Sequence, residues 1–287
     1  MGNSLEENKV KLSIITVNLN NKNGLQKTIS SVLSQTINFF EFIIIDGASS
    51  DGSVELIAQN QDRISFWLSE TDSGIYQAMN KGIRAAKGEY VLFLNSGDFL
   101  VDDEVLNNVF KGSCTEDLLY GRSYISREDK VIYTTPHPDK LTLEFFYTQT
   151  ISHQAAFIKR SLFDRFGYYR EDLKIYADLD FWLRTIILNN CTTKKLDIIV
   201  ADYNLDGISG KPYNEELAKV ERKEVLSKNI PPRILADYEN RKTERIQLQP
   251  LYWAGSVKPI KALISVLYQI ALRVNGMKKT FKKLYRD

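Results

Sequence analysis

Apolar runs closed by small polar residues recur through the first hundred positions of the chain. Lys11–Val17 is mainly apolar and ends in Asn18-Leu19-Asn20-Asn21. Phe42-Ile43-Ile44-Ile45 ends in Asp46-Gly47-Ala48-Ser49-Ser50-Asp51-Gly52, and Ile64-Ser65-Phe66-Trp67-Leu68 leads to Glu70-Thr71-Asp72-Ser73-Gly74. Glu89–Leu94 ends in Asn95-Ser96-Gly97-Asp98. Runs this short and apolar predict strands buried on both faces. Between them, apolar positions at helical spacing predict helices over 23–37, 53–60 and 75–87, the last capped by Gly88. Alternation of this kind predicts an α/β fold, a doubly wound and mostly parallel sheet with right-handed crossovers.

The second half is less regular. Strands are expected at 118–121, 130–133 and 198–201, short helices at 141–147 and 161–166, and a strong helix from Asp178 to Leu188. From 214 to about 245 the pattern is charged and helical, divided by Pro231-Pro232. Residues 1–210 therefore read as one domain, with halves of about 11–100 and 101–210, and 211–287 as a C-terminal helical extension with a basic tail.

At 287 residues and 43% hydrophobic composition the chain can bury a full core. Its formal net charge of +2 gives no argument for nucleic acid as a partner. The distribution says more, because residues 258–287 carry eight basic side chains and one acid, +7, which leaves −5 for the rest. Cys114 and Cys191 have neither metal-like nor redox-like spacing and read as plain thiols of a reducing compartment. The first residues have no apolar segment of a secretory signal, and no run of 18 apolar residues occurs.

Candidate chemistry lies in the carboxylates at strand ends. A parallel sheet gathers such loops at one edge, so Asp46, Asp72 and Asp98 can meet in one crevice. Each residue alone could equally cap a helix or an Asx turn, and Asp51 before a predicted helix reads as a cap. No Gly-x-Gly-x-x-Gly and no Gly-Lys-Ser/Thr loop is present, which disfavours dinucleotide cofactors and the P-loop. Asp178 and Asp180 stand near a helix start, where a dipole role competes with catalysis. His153 is one of two histidines, open to both a packing and a site role.

Six blocks carry a resemblance: Ser13–Asn18, Ile45–Ser53, Glu70–Ile83, Gly88–Asp98, Ser152–Ala155 and Tyr176–Arg184. In this order, over about residues 11–210, the chain resembles the family 2 glycosyltransferases of glycosyltransferase-A fold, especially bacterial enzymes of surface polysaccharides. The resemblance implies inverting transfer of a hexose from a nucleotide sugar, commonly a UDP-sugar, to a glycan or lipid-linked acceptor. It implies Thr16 and Asn18 in the nucleotide pocket, Asp46 on the uracil, and Asp72, Asn80 and Lys81 on nucleoside and phosphate. Asn95-Ser96-Gly97 stands where the family usually has Asp-x-Asp, so Asp98 is the expected ligand of Mg²⁺ or Mn²⁺, beside Asn95 and Ser96 at the donor. Asp178 is the expected base, with Ala177 in place of the usual Glu. His153, Asp180 and Ser209, the last in a flexible segment at 206–210, are expected toward the acceptor.

Two other readings stay open. A sugar nucleotidyltransferase would carry a Gly- and Lys/Arg-rich signature after the first strand, which Asn18–Lys22 lacks. A non-catalytic nucleotide-sugar or glycan binder would explain Asn95 and Gly97, while Asp46, Asp98 and Asp178 oppose it. Residues 259–273 read either as a helix packed on the body or as an interfacial helix. The second would put a cytoplasmic enzyme on the anionic inner face of the membrane, through residues 258–287.

Overall fold

The computed structural model describes residues 10–128, 130–205 and 215–274. They fall into two compact units, one ending at Ile230 and one beginning at Pro231. The first unit opens with β1 (Leu12–Asn18), α1 (Lys22–Leu33), β2 (Phe40–Asp46), α2 (Ser53–Gln59), β3 (Phe66–Ser69), α3 (Ile75–Ala85) and β4 (Tyr90–Phe93). The strands are parallel in the order β3-β2-β1-β4. Asn18 is level with Asp46, and Ile15 with Phe93, so the polar loops after these strands share one edge. All seven residues of β1 are buried, which is why the run carries so little alternation.

Two helix ends differ from the pattern. The helix expected to reach 37 stops at Leu33, because the Thr36 N–H turns away to the Asp103 carbonyl at 3.0 Å. Gly88 does not cap α3, which already ends at Ala85. It is required by close packing instead: a Cβ there would lie 2.5 Å from the backbone nitrogen of Ser13.

The unit continues with β5 (Phe99–Leu100), α4 (Val105–Phe110), β6 (Leu118–Arg127), β7 (Lys130–Thr134), α5 (Leu143–Thr148), β8 (Ala156–Lys159), α6 (Ser161–Phe166), α7 (Ala177–Trp182), β9 (Thr193–Asn204) and α8 (Glu215–Asn229). Beyond β4 the sheet runs β8-β6-β9-β5, with β7 paired to β6. It is mixed there: β8 is antiparallel to β4 and β6, β5 antiparallel to β9, and β6 parallel to β9. The sequence pattern misses β5 and β8, which are two and four residues long. The helix expected over 178–188 is α7 followed by a π-helical turn, Leu183–Ile187, a local widening common near functional sites.

The domain boundary also moves. The pattern places it near 210, yet α8 belongs to the first unit, where Val225 and Leu226 are buried. The second unit holds α9 (Pro232–Ser256) and α10 (Lys258–Val274). Pro231 and Pro232 separate α8 from α9, with Pro232 in the first turn, where its missing N–H costs nothing. Among the described residues, no helix is long and apolar enough to cross a membrane.

Candidate active site

The crevice edge begins with Asp46, the last residue of β2 and fully buried. Its Oδ1 accepts from Asn18 Nδ2 at 2.8 Å and Ser49 Oγ at 2.6 Å, and its Oδ2 from the Ser49 N–H at 2.9 Å and Ser69 Oγ at 2.7 Å. Burial alone would raise its pKa, but the Ser49, Ser69 and Asn18 donors outweigh it and hold the carboxyl below its ordinary range. Ser49 reaches back because Ala48 adopts a left-handed φ of 61°, a strained turn for a residue with a Cβ. Asp46 thus has four donors on its two oxygens and ties together the ends of β1, β2 and β3.

Other residues expected at the donor are also engaged with the protein. Thr16 is buried and donates to the Leu94 carbonyl at 2.7 Å. Asn80 is 1% exposed and spends its amide on Tyr169 and Glu171: Nδ2 donates to both at 2.9 Å and Oδ1 accepts the Tyr169 N–H at 3.1 Å. It braces α3 against the segment before α7. Lys81 pairs with Glu70 at 2.8 Å and donates to the Thr71 carbonyl at 3.2 Å, which fixes the loop after β3. Asp72 is half-buried in that loop and holds the Gly74 N–H at 2.9 Å. Asp51 accepts the Lys22 and Ser53 N–H groups, the first of α1 and of α2, at 2.7 and 3.1 Å, while Gly52 holds the N-cap position of α2.

The loop after β4 joins the two halves. Asn21 Nδ2 donates to the Ser96 carbonyl at 2.9 Å. Asn95 Nδ2 lies 3.3 Å from His153 Nε2, while its Oδ1 is buried and has no partner among the described residues. Asp98 is 4% exposed; its Oδ2 accepts from Gln154 Nε2 at 3.0 Å and its Oδ1 from the Asn204 N–H at 3.1 Å. Burial pushes its pKa up to about 7, against the opposing effect of those two hydrogen bonds. That environment does not fit the expected role of metal ligand, because both oxygens are taken up by protein donors. Its neighbours on the loop are neutral, and no group of three or more His, Cys, Asp or Glu side chains among the described residues could hold an ion.

Across the crevice, Asp178 sits in the first turn of α7. Its Oδ1 accepts the Leu179 N–H at 2.7 Å, and its Oδ2 lies 3.3 Å from His153 Nδ1. Beneath lies an aromatic floor in which Tyr169 meets Phe93, Phe163 and Phe181 at centroid distances of 5.4–5.5 Å. Burial, and next the charge of Asp178, push the Tyr76 and Tyr169 phenols well above the ordinary tyrosine range. Asp180 points elsewhere: it is 1% exposed and bound to Arg184 Nε at 2.8 Å and Asn229 Nδ2 at 2.9 Å. It therefore ties α7 to α8 and does not line the acceptor side. Ser209 and the segment around it lie outside the described residues.

The structure therefore brings Asn95, His153 and Asp178 together in one hydrogen-bonded row, with Asp46 at the end of β2 and Asp72 on the loop after β3. A family model described as glycosyl transferase family 2 matches residues 13–173, more than half of the chain. The chain belongs to glycosyltransferase family 2.

Relatives of this glycosyltransferase agree. It is 32% identical over 203 residues to an uncharacterized glycosyltransferase of Mycobacterium tuberculosis, covering 69% of this chain and 76% of that protein. A PGL/p-HBAD biosynthesis glycosyltransferase of Mycobacterium bovis is 32% identical over 215 residues, 72% of this chain and 82% of its own length. Among solved structures, Staphylococcus aureus TarS 1–349 in complex with UDP-GlcNAc superposes with a TM-score of 0.62 at 19% identity, covering 84% of this chain and 75% of that one. A mannosyltransferase from Pyrobaculum calidifontis with GDP-Man and Mn²⁺ gives 0.55 at 17% identity, covering 91% and 80%. At such identities these two likenesses show the fold, which is of the glycosyltransferase-A type.

Sequence reasoning missed several residues that shape this glycosyltransferase's site. Glu221 on α8 is 5% exposed and accepts three backbone N–H groups, those of Lys174, Ile175 and Tyr176, at 2.7, 2.8 and 3.2 Å. It fixes the chain just before Asp178. The roles of Gln154, Asn204 and Ser69 are likewise not legible in the sequence. Their partners lie 23 to 106 residues away, and no local pattern carries that information.

Proposed function

We propose that this glycosyltransferase moves a hexose with inversion from a nucleotide sugar, in the first place a UDP-sugar, to a hydroxyl of a glycan or lipid-linked acceptor in cell-surface polysaccharide synthesis. The observation that carries the reading is Asp178, a carboxylate oriented by Leu179 and His153 at the start of α7. Relatives support the acceptor class: one is a glycosyltransferase of PGL/p-HBAD biosynthesis, and a Bacillus subtilis protein 31% identical over 153 residues is assigned to teichuronic acid biosynthesis. The nucleotide sugars bound by TarS and the archaeal mannosyltransferase support the donor class.

In the proposed step the acceptor oxygen attacks the anomeric carbon opposite the leaving diphosphate. The new C–O bond forms as the old one breaks, its electron pair leaves with the nucleoside diphosphate, and the hydroxyl proton passes to Asp178. Asp98 has no part in this step.

The second unit supports a place at the inner membrane face. At 100° per residue, Lys258, Lys261, Ser265 and Gln269 fall on one side of α10, and Leu263, Leu267 and Ile270 on the other. α10 contains no acid, a composition suited to lying on anionic lipid. Co-sedimentation with phosphatidylglycerol vesicles but not phosphatidylcholine vesicles is expected, and equal recovery in both pellets would refute the placement.

The deciding test of the reaction is a panel of UDP-, GDP- and dTDP-sugars, with and without Mn²⁺, on the wild type and Asp178→Asn. Release of one nucleoside diphosphate by the wild type and a loss of about 10²–10⁴ in the variant is expected for removal of a general base. Equal release by both proteins would remove Asp178 from the chemistry.

A further inference from the structure

The ring nitrogens of His153 are spoken for on both sides. Nδ1 faces Asp178 Oδ2 at 3.3 Å, and Nε2 faces Asn95 Nδ2 at 3.3 Å. A carboxylate oxygen accepts, so Nδ1 carries the hydrogen; with the Asn95 amide nitrogen facing the ring, Nε2 offers its lone pair. The second histidine, His137, has the opposite demand, since its Nε2 lies 3.4 Å from the Tyr120 carbonyl and must carry the hydrogen there.

The His153 ring is gripped from three directions. Phe93 meets it edge-on, with centroids 6.4 Å apart and planes at 90°. Asn95, two residues further along the chain, holds Nε2. The short turn His153–Ala155 is pinned in turn by the bond from Gln154 to Asp98. Both residues of the 153–154 pair are thus held by the single loop after β4. The side chain of His153 is only 15% exposed and that of Asp178 only 11%, so water competes little for these bonds.

We propose that His153 is a positioning residue that ties the orientation of the Asp178 carboxylate to Asn95 on the donor-side loop. The inference rests on the reading of Asp178 as the base. Asp178 has its Oδ1 on its own chain neighbour and its Oδ2 on the imidazole, so His153 is the one side-chain donor the described contacts give it. The ring transmits the placement of the β4 loop, where the donor diphosphate is expected, to the group that must take the acceptor's proton. A misplacement of that group by an ångström can cost about 10²-fold in rate.

The test separates this role from packing and from the identity of the donor. In ¹⁵N-histidine-labelled full-length protein at pH 8, long-range ¹H–¹⁵N spectra read the tautomer of both rings, assigned by His137→Gln. His153 is expected as Nδ1–H and His137 as Nε2–H, with His153 moving toward Nε2–H in Asp178→Ala. A His153 ring that is Nε2–H or doubly protonated in the wild type, or unmoved by Asp178→Ala, overturns the proposal even if no donor is ever turned over.

The kinetic arm uses the nucleotide sugar consumed by the wild type. Asparagine places an N–H near the Nδ1 position and glutamine near Nε2. His153→Gln and His153→Ala are therefore expected to lower kcat about 10–100-fold with donor KM within about threefold, while His153→Asn recovers to within about fivefold of the wild type. Equal kcat for the Asn and Gln variants at equal Tm, or a change confined to KM, overturns it.

Discussion

Two buried carboxylates of this molecule are surrounded in opposite ways. Asp46 has four donors on two oxygens and its charge is fully answered by Ser49, Ser69 and Asn18. Among the described residues Asp178 has one backbone N–H and one imidazole, which leaves lone pairs without a partner there. A saturated carboxylate holds strands together; one left short of donors can still take a proton. The difference separates framework from chemistry more sharply than motif position does, because both residues fall within family blocks.

Substitution should split the two. Asp178→Asn should cost two to four orders of magnitude in kcat and leave Tm within about 2 °C, as expected of a base with few structural contacts. Asp46→Ala should instead strand several buried donors and lower unfolding free energy by roughly 2–4 kcal/mol, read by urea titration. If Asp46→Ala kept wild-type stability and lost only donor binding, the contrast between the two sites would collapse.

A smaller effect sharpens the same comparison from the far side of Asp178. Glu221→Ala leaves three N–H groups before α7 unanswered and should lower kcat about tenfold with donor KM within about twofold, through misplacement of the base. Glu221→Gln, which keeps one acceptor oxygen, should fall between. A Glu221→Ala enzyme with unchanged kcat would show that α7 holds its place without α8.

The smallest effect concerns Asp98, a third case between the other two. Its carboxyl is raised from 3.8 to about 7 by burial, so the folded state binds the proton more tightly than the unfolded chain. Stability is then fully present below pH 4, falls as pH rises to about 7, and stays lower above it. Asp98→Asn removes the titration and should gain stability relative to the wild type at pH 8, with the gain shrinking toward pH 4. Thermal melts across that range check it; a gain that is the same at pH 4 and pH 8 would mean that charge is not the cause.

What could be read in the sequence follows from which contacts are local. β1, β2 and β4 are apolar because both faces are covered, and their loops are small and polar because they line a crevice, so both show in a one-dimensional pattern. β8 is four residues set between a polar turn and a helix, too short to show a period. Asn80 lies in a motif and was expected at the donor, yet its amide is fixed by Tyr169, 89 residues on. Asp180 likewise has the residue type expected at a site, but Arg184 and Asn229 claim it. Asp98 and Gln154 both lie in recognisable blocks, though nothing along the chain says that they bind each other.

The hold of Glu221 on residues 174–176 has a consequence for synthesis. The segment that carries the base leaves the ribosome before the helix that fixes it. At about 5–20 residues per second, the interval between Asp178 and Glu221 is roughly 2–9 s. During that time the growing chain can have its donor-side sheet complete and its base unplaced. The final placement of the base therefore comes late in synthesis, once α8 is available to hold residues 174–176.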